Sequence, residues 1–386
     1  MPGVSFSDNG GMTSASHSSD SAEPFEGLRI RGVAKTFGTD TTVLNEIDLD
    51  VHPGELISLV GSSGTGKSTL LRIIAGLEEP SAGRVTYAGQ PLERGSVGVV
   101  FQRPILYPHL SVKDNILFPT RLGAFAGRVD MDYYRELLEA LKLEGLESRK
   151  PSQLSGGQAQ RVGIARALIR RAPVVLFDEP LASVDEQMSA SIRADIVRLH
   201  ERYGFTGLYV THDQNEALML GQRVAVMDAG YLVQVDTPER LLAHPHTLQV
   251  AKLLAAPALN LVTLEDSAVL PVGCELAIRA TALCPVAADA AHSLPVQVLG
   301  SRHLVGGMLY RARLLEAVSL PLESRRASAD SEPSDRVYAR VRAGQELEFF
   351  IPDAQSGSSL NVGDRVHLGV AAERCFVFSN GKRFYL

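Results

Sequence analysis

The segment Gly61-Ser62-Ser63-Gly64-Thr65-Gly66-Lys67-Ser68, with Thr69 behind it, constrains this chain more than any other. It spells G-x-x-x-x-G-K-[ST], and its flanks are the ones that loop requires. Leu56 to Val60 is a short apolar run that reads as a buried strand, and Thr69 to Ala75 reads as a helix stopped by Gly76. The glycines let the backbone curl so that successive N–H groups converge on one phosphate chain, helped by the positive end of the helix dipole. Lys67 then neutralises the terminal phosphates, and the Ser68 hydroxyl serves Mg²⁺. A strand, a phosphate loop and a helix in this order imply an α/β fold.

Two later segments carry related chemistry. Leu154-Ser155-Gly156-Gly157-Gln158 opens a helix whose Val162, Ala165, Leu168 and Ile169 share one side. Ser155 caps it, and the two glycine N–H groups remain available to an anion. Val174 to Phe177 reads as a buried strand ending in Asp178-Glu179, where an α/β sheet places its chemistry. Asp178 suits the Mg²⁺ shell, and Glu179, one residue beyond, suits a general base for water.

These three segments in this order resemble the ATP-binding subunits of ABC transporters. Phosphate loop, LSGGQ signature and strand-end Asp-Glu match that family without a substitution. The resemblance implies further roles. Gln102, after Val99-Val100-Phe101, takes the position whose amide senses Mg²⁺ and the attacking water and couples to the membrane partner. Ala182-Ser183-Val184-Asp185 corresponds to the D-loop, and His212, after Leu208 to Thr211, to the switch histidine at the γ-phosphate. Phe37, ahead of the first strands, corresponds to the aromatic that stacks on adenine. The implied arrangement is a head-to-tail homodimer. Each ATP and its Mg²⁺ lie between one subunit's phosphate loop, Gln102, Asp178, Glu179 and His212 and the other's Ser155, Gly156, Gly157 and Gln158.

Composition bounds the rest. At 386 residues two domains are expected. A net charge of −6 gives no basic footprint for nucleic acid, and no apolar run approaches the roughly 18 residues of a spanning helix. A pore would therefore be another chain, with this one on the cytoplasmic face of the membrane and any solute-binding protein engaged only indirectly. Cys274, Cys284 and Cys375 lack metal-like spacing and read as reduced thiols.

Residues 1–26 read as a disordered tail. From 27 to 244 alternating strands and helices imply a nucleotide-binding domain built on a largely parallel sheet, with a helical subdomain at about 103–171. The apolar stretch Pro104 to Val112 is its expected contact with a membrane subunit. Residues 245–386 read as an all-β regulatory domain resembling the OB-like extension of importer ATPases for sugars, polyamines, sulfate or iron, with a long polar loop from Glu316 to about Asp335. Where that family often shows an Ile-Arg-Pro-Glu element, this chain has Ile278-Arg279-Ala280-Thr281. The alternative, a soluble ABC-type ATPase acting on ribosomes or nucleic acid, is disfavoured by a single motif set without coiled coils or zinc-like insertions. The transported solute is not written in these residues.

Overall fold

The computed structural model describes residues 25–122, 129–265, 270, 273–290, 292–322, 337–355, 360–370 and 374–384. Nearly all of the expected N-terminal tail lies outside them. In chain order the first strands are β1 (Leu28–Phe37), β2 (Thr41–Val51) and β3 (Leu56–Val60), followed by α1 (Lys67–Ile74), β4 (Ala82–Tyr87), β5 (Gln90–Pro91) and β6 (Gly98–Val100). The insert supplies α2 (Val112–Leu117), α3 (Met131–Ala140) and α4 (Gly156–Leu168). Then come β7 (Val174–Asp178), α5 (Glu186–Tyr203), β8 (Thr206–Thr211), α6 (Gln214–Leu220), β9 (Arg223–Asp228), β10 (Tyr231–Asp236), α7 (Pro238–Ala243) and α8 (Leu248–Leu253).

One sheet runs β10-β9-β3-β8-β7-β6, parallel from β9 to β6 with β10 antiparallel at its edge. Its middle strands β3 and β8 are buried along their whole length, which is why they read as continuous apolar runs. A second, antiparallel sheet, β2-β1-β4-β5, was not part of the expected parallel core. Its strands β1 and β2 bury alternate residues such as Leu28 and Ile30, or Ile47 and Leu49, against α1 and the first sheet. Phe37 correspondingly ends β1 and pairs with Thr41, where the sequence reading set it ahead of the strands.

The all-β, OB-like region contains β11 (Leu259–Thr263), β12 (Glu275–Arg279), β13 (Leu283–Val286), β14 (Leu294–Leu304), β15 (Gly307–Leu314), β16 (Val318–Leu322), β17 (Val337–Val341), β18 (Glu346–Pro352), β19 (Arg365–Val370), β20 (Cys375–Ser379) and β21 (Lys382–Phe384). They form sheets β11-β12-β20-β21 and β13-β19-β14-β15-β18 and the pair β16-β17 around one apolar core. β16 corrects the expected long loop, because residues 318–322 alternate and pair with β17. The remainder of that loop falls outside the described residues. Helix α8 belongs to two cores. Val250 and Leu254 pack with Val60, Val224 and Leu241, whereas Leu248 and Ala251 pack with Ala277, Phe376 and Phe378.

Candidate nucleotide and catalytic site

Every strand that feeds the site ends on the same edge. Val60 pairs with Thr211, Asp178 with Val210 and Val100 with Phe177, so the phosphate loop, Asp178-Glu179, His212 and the Phe101-Gln102 turn emerge side by side. Parallel pairing alone produces this convergence from residues far apart in sequence.

The phosphate loop is held in shape by its glycines and by contacts within the loop. Gly64 and Gly66 have φ of 81° and 97°, a conformation open to glycine, and a Cβ on Gly66 would come within 2.8 Å of the Val43 carbonyl. Thr65 Oγ1 donates to the Ser62 carbonyl, and the exposed Ser62 and Ser63 form the rim. Lys67, 5% exposed, curls back to donate to the carbonyls of Gly61 (2.8 Å) and Ser62 (2.9 Å). Burial pushes its pKa down, and the nearby Glu179 and Asp178 oppose that shift.

Ser68 Oγ lies 3.4 Å from Asp178 Oδ1, which joins the first turn of α1 to the end of β7 as one oxygen cluster. Hard oxygen donors of this kind, a hydroxyl beside a carboxylate, suit Mg²⁺. Burial, then the charge of Glu179, raises the Asp178 pKa, while Ser68, Arg72 and Lys67 counteract the rise. Mg²⁺ held by Ser68 and Asp178 would add positive charge here and neutralise phosphate oxygens.

Glu179 has φ of 43°, unusual for a residue with a Cβ, and its N–H donates to the Val210 carbonyl at 2.9 Å. Such backbone strain amounts to about 1–3 kcal/mol and turns the carboxylate out of the sheet. Glu179 Oε2 then sits 3.0 Å from His212 Nδ1. A carboxylate and an imidazole in contact can orient water and pass a proton.

Ser155 caps α4. Its Oγ accepts from the Gln158 N–H at 3.3 Å while Gln158 Oε1 accepts from the Ser155 N–H at 3.0 Å. Gly157 is needed internally, since a Cβ would strike Met188, but a Cβ on Gly156 would meet nothing within 4 Å. Gly156, in the first turn of α4, is therefore an open, exposed position. Gln102 is exposed at the start of the insert, and Phe37 is 43% exposed with the Lys35 ammonium 4.9 Å from its ring centroid.

Two supporting residues escaped the sequence reading. Glu216, 7% exposed, accepts from Tyr209 Oη (3.1 Å) and Thr211 Oγ1 (2.8 Å) and lies 3.5 Å from Arg193, fixing both sides of His212. The Asp213-x-x-Glu216 spacing, a helix-start signature, was the available signal. Asn115 is fully buried and accepts from the Tyr107 N–H while donating to the carbonyls of Tyr107, Leu110 and Ser111. Only its place between Val112 and the apolar pair Ile116-Leu117 on a short helix hinted at this.

The family description "ABC transporter" matches residues 44–182. The chain is 44% identical over 250 residues to the sn-glycerol-3-phosphate import ATP-binding protein UgpC 1 of Rhizobium johnstonii, covering 63% of this chain and 67% of that protein. It is 42% identical to UgpC of Yersinia pestis, covering 64% and 70%, and 42% identical to UgpC of Escherichia coli strain K12, covering 61% and 68%. Among solved structures, cbiO1 from Clostridium perfringens, part of the ABC transporter complex cbiONQ, aligns with a TM-score of 0.51 at 27% identity, over 57% of this chain and 92% of that one. With the phosphate loop, strand-end carboxylates and signature helix built as described, and with relatives of this identity, the chain belongs to the ABC transporter family as an importer-type ATP-binding subunit.

Proposed function

We propose that this chain is the energy-coupling ATPase of an import system, acting as a head-to-tail homodimer against separate transmembrane permease subunits. The observation that carries the catalytic assignment is the Glu179–His212 contact at 3.0 Å, on the sheet edge shared with Lys67, Ser68 and Asp178. In this reading the backbone of residues 61–69 and Lys67 hold the phosphates of ATP, and Ser68, Asp178 and Gln102 hold Mg²⁺. Phe37 stacks on the base. Glu179 takes a proton from water, and His212 orients it. Ser155, Gly156, Gly157 and Gln158 complete the partner's site, which accounts for the room left at Gly156.

The exposed Ile105 and Tyr107, on a loop held by Asn115 and by Arg166 Nη1 donating to the Ile105 carbonyl (2.5 Å), fit the permease contact on the cytoplasmic face. Residues 27–244 make the ATPase unit and 245–386 a regulatory unit, with α8 packed on both. The solute does not meet these residues. The names of the relatives make sn-glycerol-3-phosphate the first solute to assay. No feature favours a ribosomal or nucleic-acid role.

Glu179→Gln should retain ATP binding, lose about 10²- to 10⁴-fold in hydrolysis and accumulate as a nucleotide-bound dimer seen by light scattering. Wild-type turnover in that variant would remove Glu179 from the base role. Mixed dimers of Ser155→Arg with Lys67→Ala subunits test the shared site. Head-to-tail pairing places both lesions in one composite site and leaves the other intact, so about half the activity of a dimer should survive.

A further inference from the structure

A cavity of about 700 Å³ lies between the ATPase unit and the β-rich region. One wall is α6, which begins two residues after His212 and presents Gln214, Asn215 and Leu218. The facing wall carries Arg279, Arg374 and Phe376. Arg279 is 9% exposed and donates to the carbonyls of Leu254 (2.6 Å) and Leu242 (3.2 Å), at the ends of α8 and α7. A guanidinium has five N–H donors, so others remain.

No ion pair among the described residues engages Arg279 or Arg374. Burial, then the charge of Arg374, lowers the Arg279 pKa, as expected for a cation facing a second cation. Glu239, in the first turn of α7, is the carboxylate on the cavity wall, and His244 also lines it. Thr281 stands on that wall at the position where the family's pattern has a glutamate. Thr281 thus gives the wall a hydroxyl and no charge. Leu242 and Leu254 give the same cavity an apolar side.

We propose that this cavity binds a small organic anion, its oxyanion group held by Arg279 and Arg374 and its carbon skeleton against Leu242, Leu254 and Phe376. Two guanidiniums can grip a carboxylate or a phosphate ester through charge-assisted hydrogen bonds. A ligand there bridges the β-rich region to α6, and on the ATPase reading above its occupancy slows hydrolysis by fixing the helix that follows His212.

Calorimetry on the full chain, with the nucleotide site filled by Mg²⁺ and a non-hydrolysable ATP analogue, tests the site with succinate and with dihydroxyacetone phosphate at ionic strength matched by chloride. Saturable binding of at least one probe is expected, and which one binds separates carboxylate from phosphate recognition. Thr281→Glu adds a carboxylate to the cavity wall and Arg374→Gln removes one cation. Both positions are exposed, and each change should weaken binding about tenfold or more. Absence of binding by both probes, or binding unchanged in Thr281→Glu, overturns the site. Binding heat is measured without turnover, so binding in a chain that proves unable to hydrolyse ATP would sink the ATPase reading and leave the cavity assignment standing.

Discussion

In the Mg²⁺ role proposed for it, Asp178 would serve chemistry at the expense of the unliganded fold. Its carboxyl is held above the ordinary range by burial and by Glu179. A raised carboxyl stabilises the folded state while protonated, and that stability is lost as pH rises through the folded value. The ionised carboxylate is therefore an unfavourable charge in the ligand-free protein, one that Mg²⁺ would relieve. We expect Asp178→Asn to raise the ligand-free melting temperature at neutral pH, with the gain shrinking in acid, and to abolish Mg²⁺-dependent hydrolysis. Calorimetric melting with and without Mg²⁺ checks both, and an unchanged or lower neutral melting point would refute the argument. Asp178 stood out as a candidate in the sequence because its apolar strand follows the phosphate loop and the LSGGQ segment in order; a strand-end carboxylate alone can equally be a solvated acid. Glu216 did not stand out, because its partners Tyr209 and Thr211 are themselves strand residues whose side-chain directions emerge only from the folded sheet.

At the scale of elements, the segment from Pro104 to Leu110 carries no regular structure and is held in shape from below by Asn115 in α2. Removing that amide takes the partner from the part-buried Tyr107 N–H and Leu110 carbonyl, while the carbonyls of Tyr107 and Ser111 keep backbone donors; an unmade bond of this kind costs about 1–3 kcal/mol. Asn115→Ala should lower stability by about that amount, keep the ATPase rate of the isolated subunit, and reduce transport by the assembled system. Parallel assays of detached and permease-bound protein check it. An equal fall in both rates would mean that the loop shapes the nucleotide site itself. Local signals found β3, α1, α4 and β7 because their caps, glycines and apolar runs lie within a few residues. The sheet β2-β1-β4-β5 and strand β16 were less visible. Their half-buried, partly polar residues acquire meaning only from partners elsewhere in the chain, as when Leu320 meets Ala339.

At the scale of the whole molecule, α8 decides how the two units can be separated. Val250 and Leu254 help cover Val60, the last residue before the phosphate loop. A chain cut after His244 strips that cover, whereas one cut after Ala255 keeps it. Both truncations should bind ATP, since the residues assigned to it precede position 213, but the shorter should melt lower and aggregate more readily. Scanning calorimetry of the pair checks this, and equal melting would show that α8 is dispensable to the ATPase core. The last hairpin is also tied back to this region: Leu248 donates to the Gly381 carbonyl, and the Arg383 N–H to that of His246. Order of synthesis then matters. While a nascent chain still lacks β20 and β21, Leu248, Ala251 and Ala277 have no Phe376 or Phe378 to cover them. An unfinished chain therefore displays an apolar face beside an otherwise complete ATPase unit, a mark by which chaperones and proteases can tell it from the finished protein.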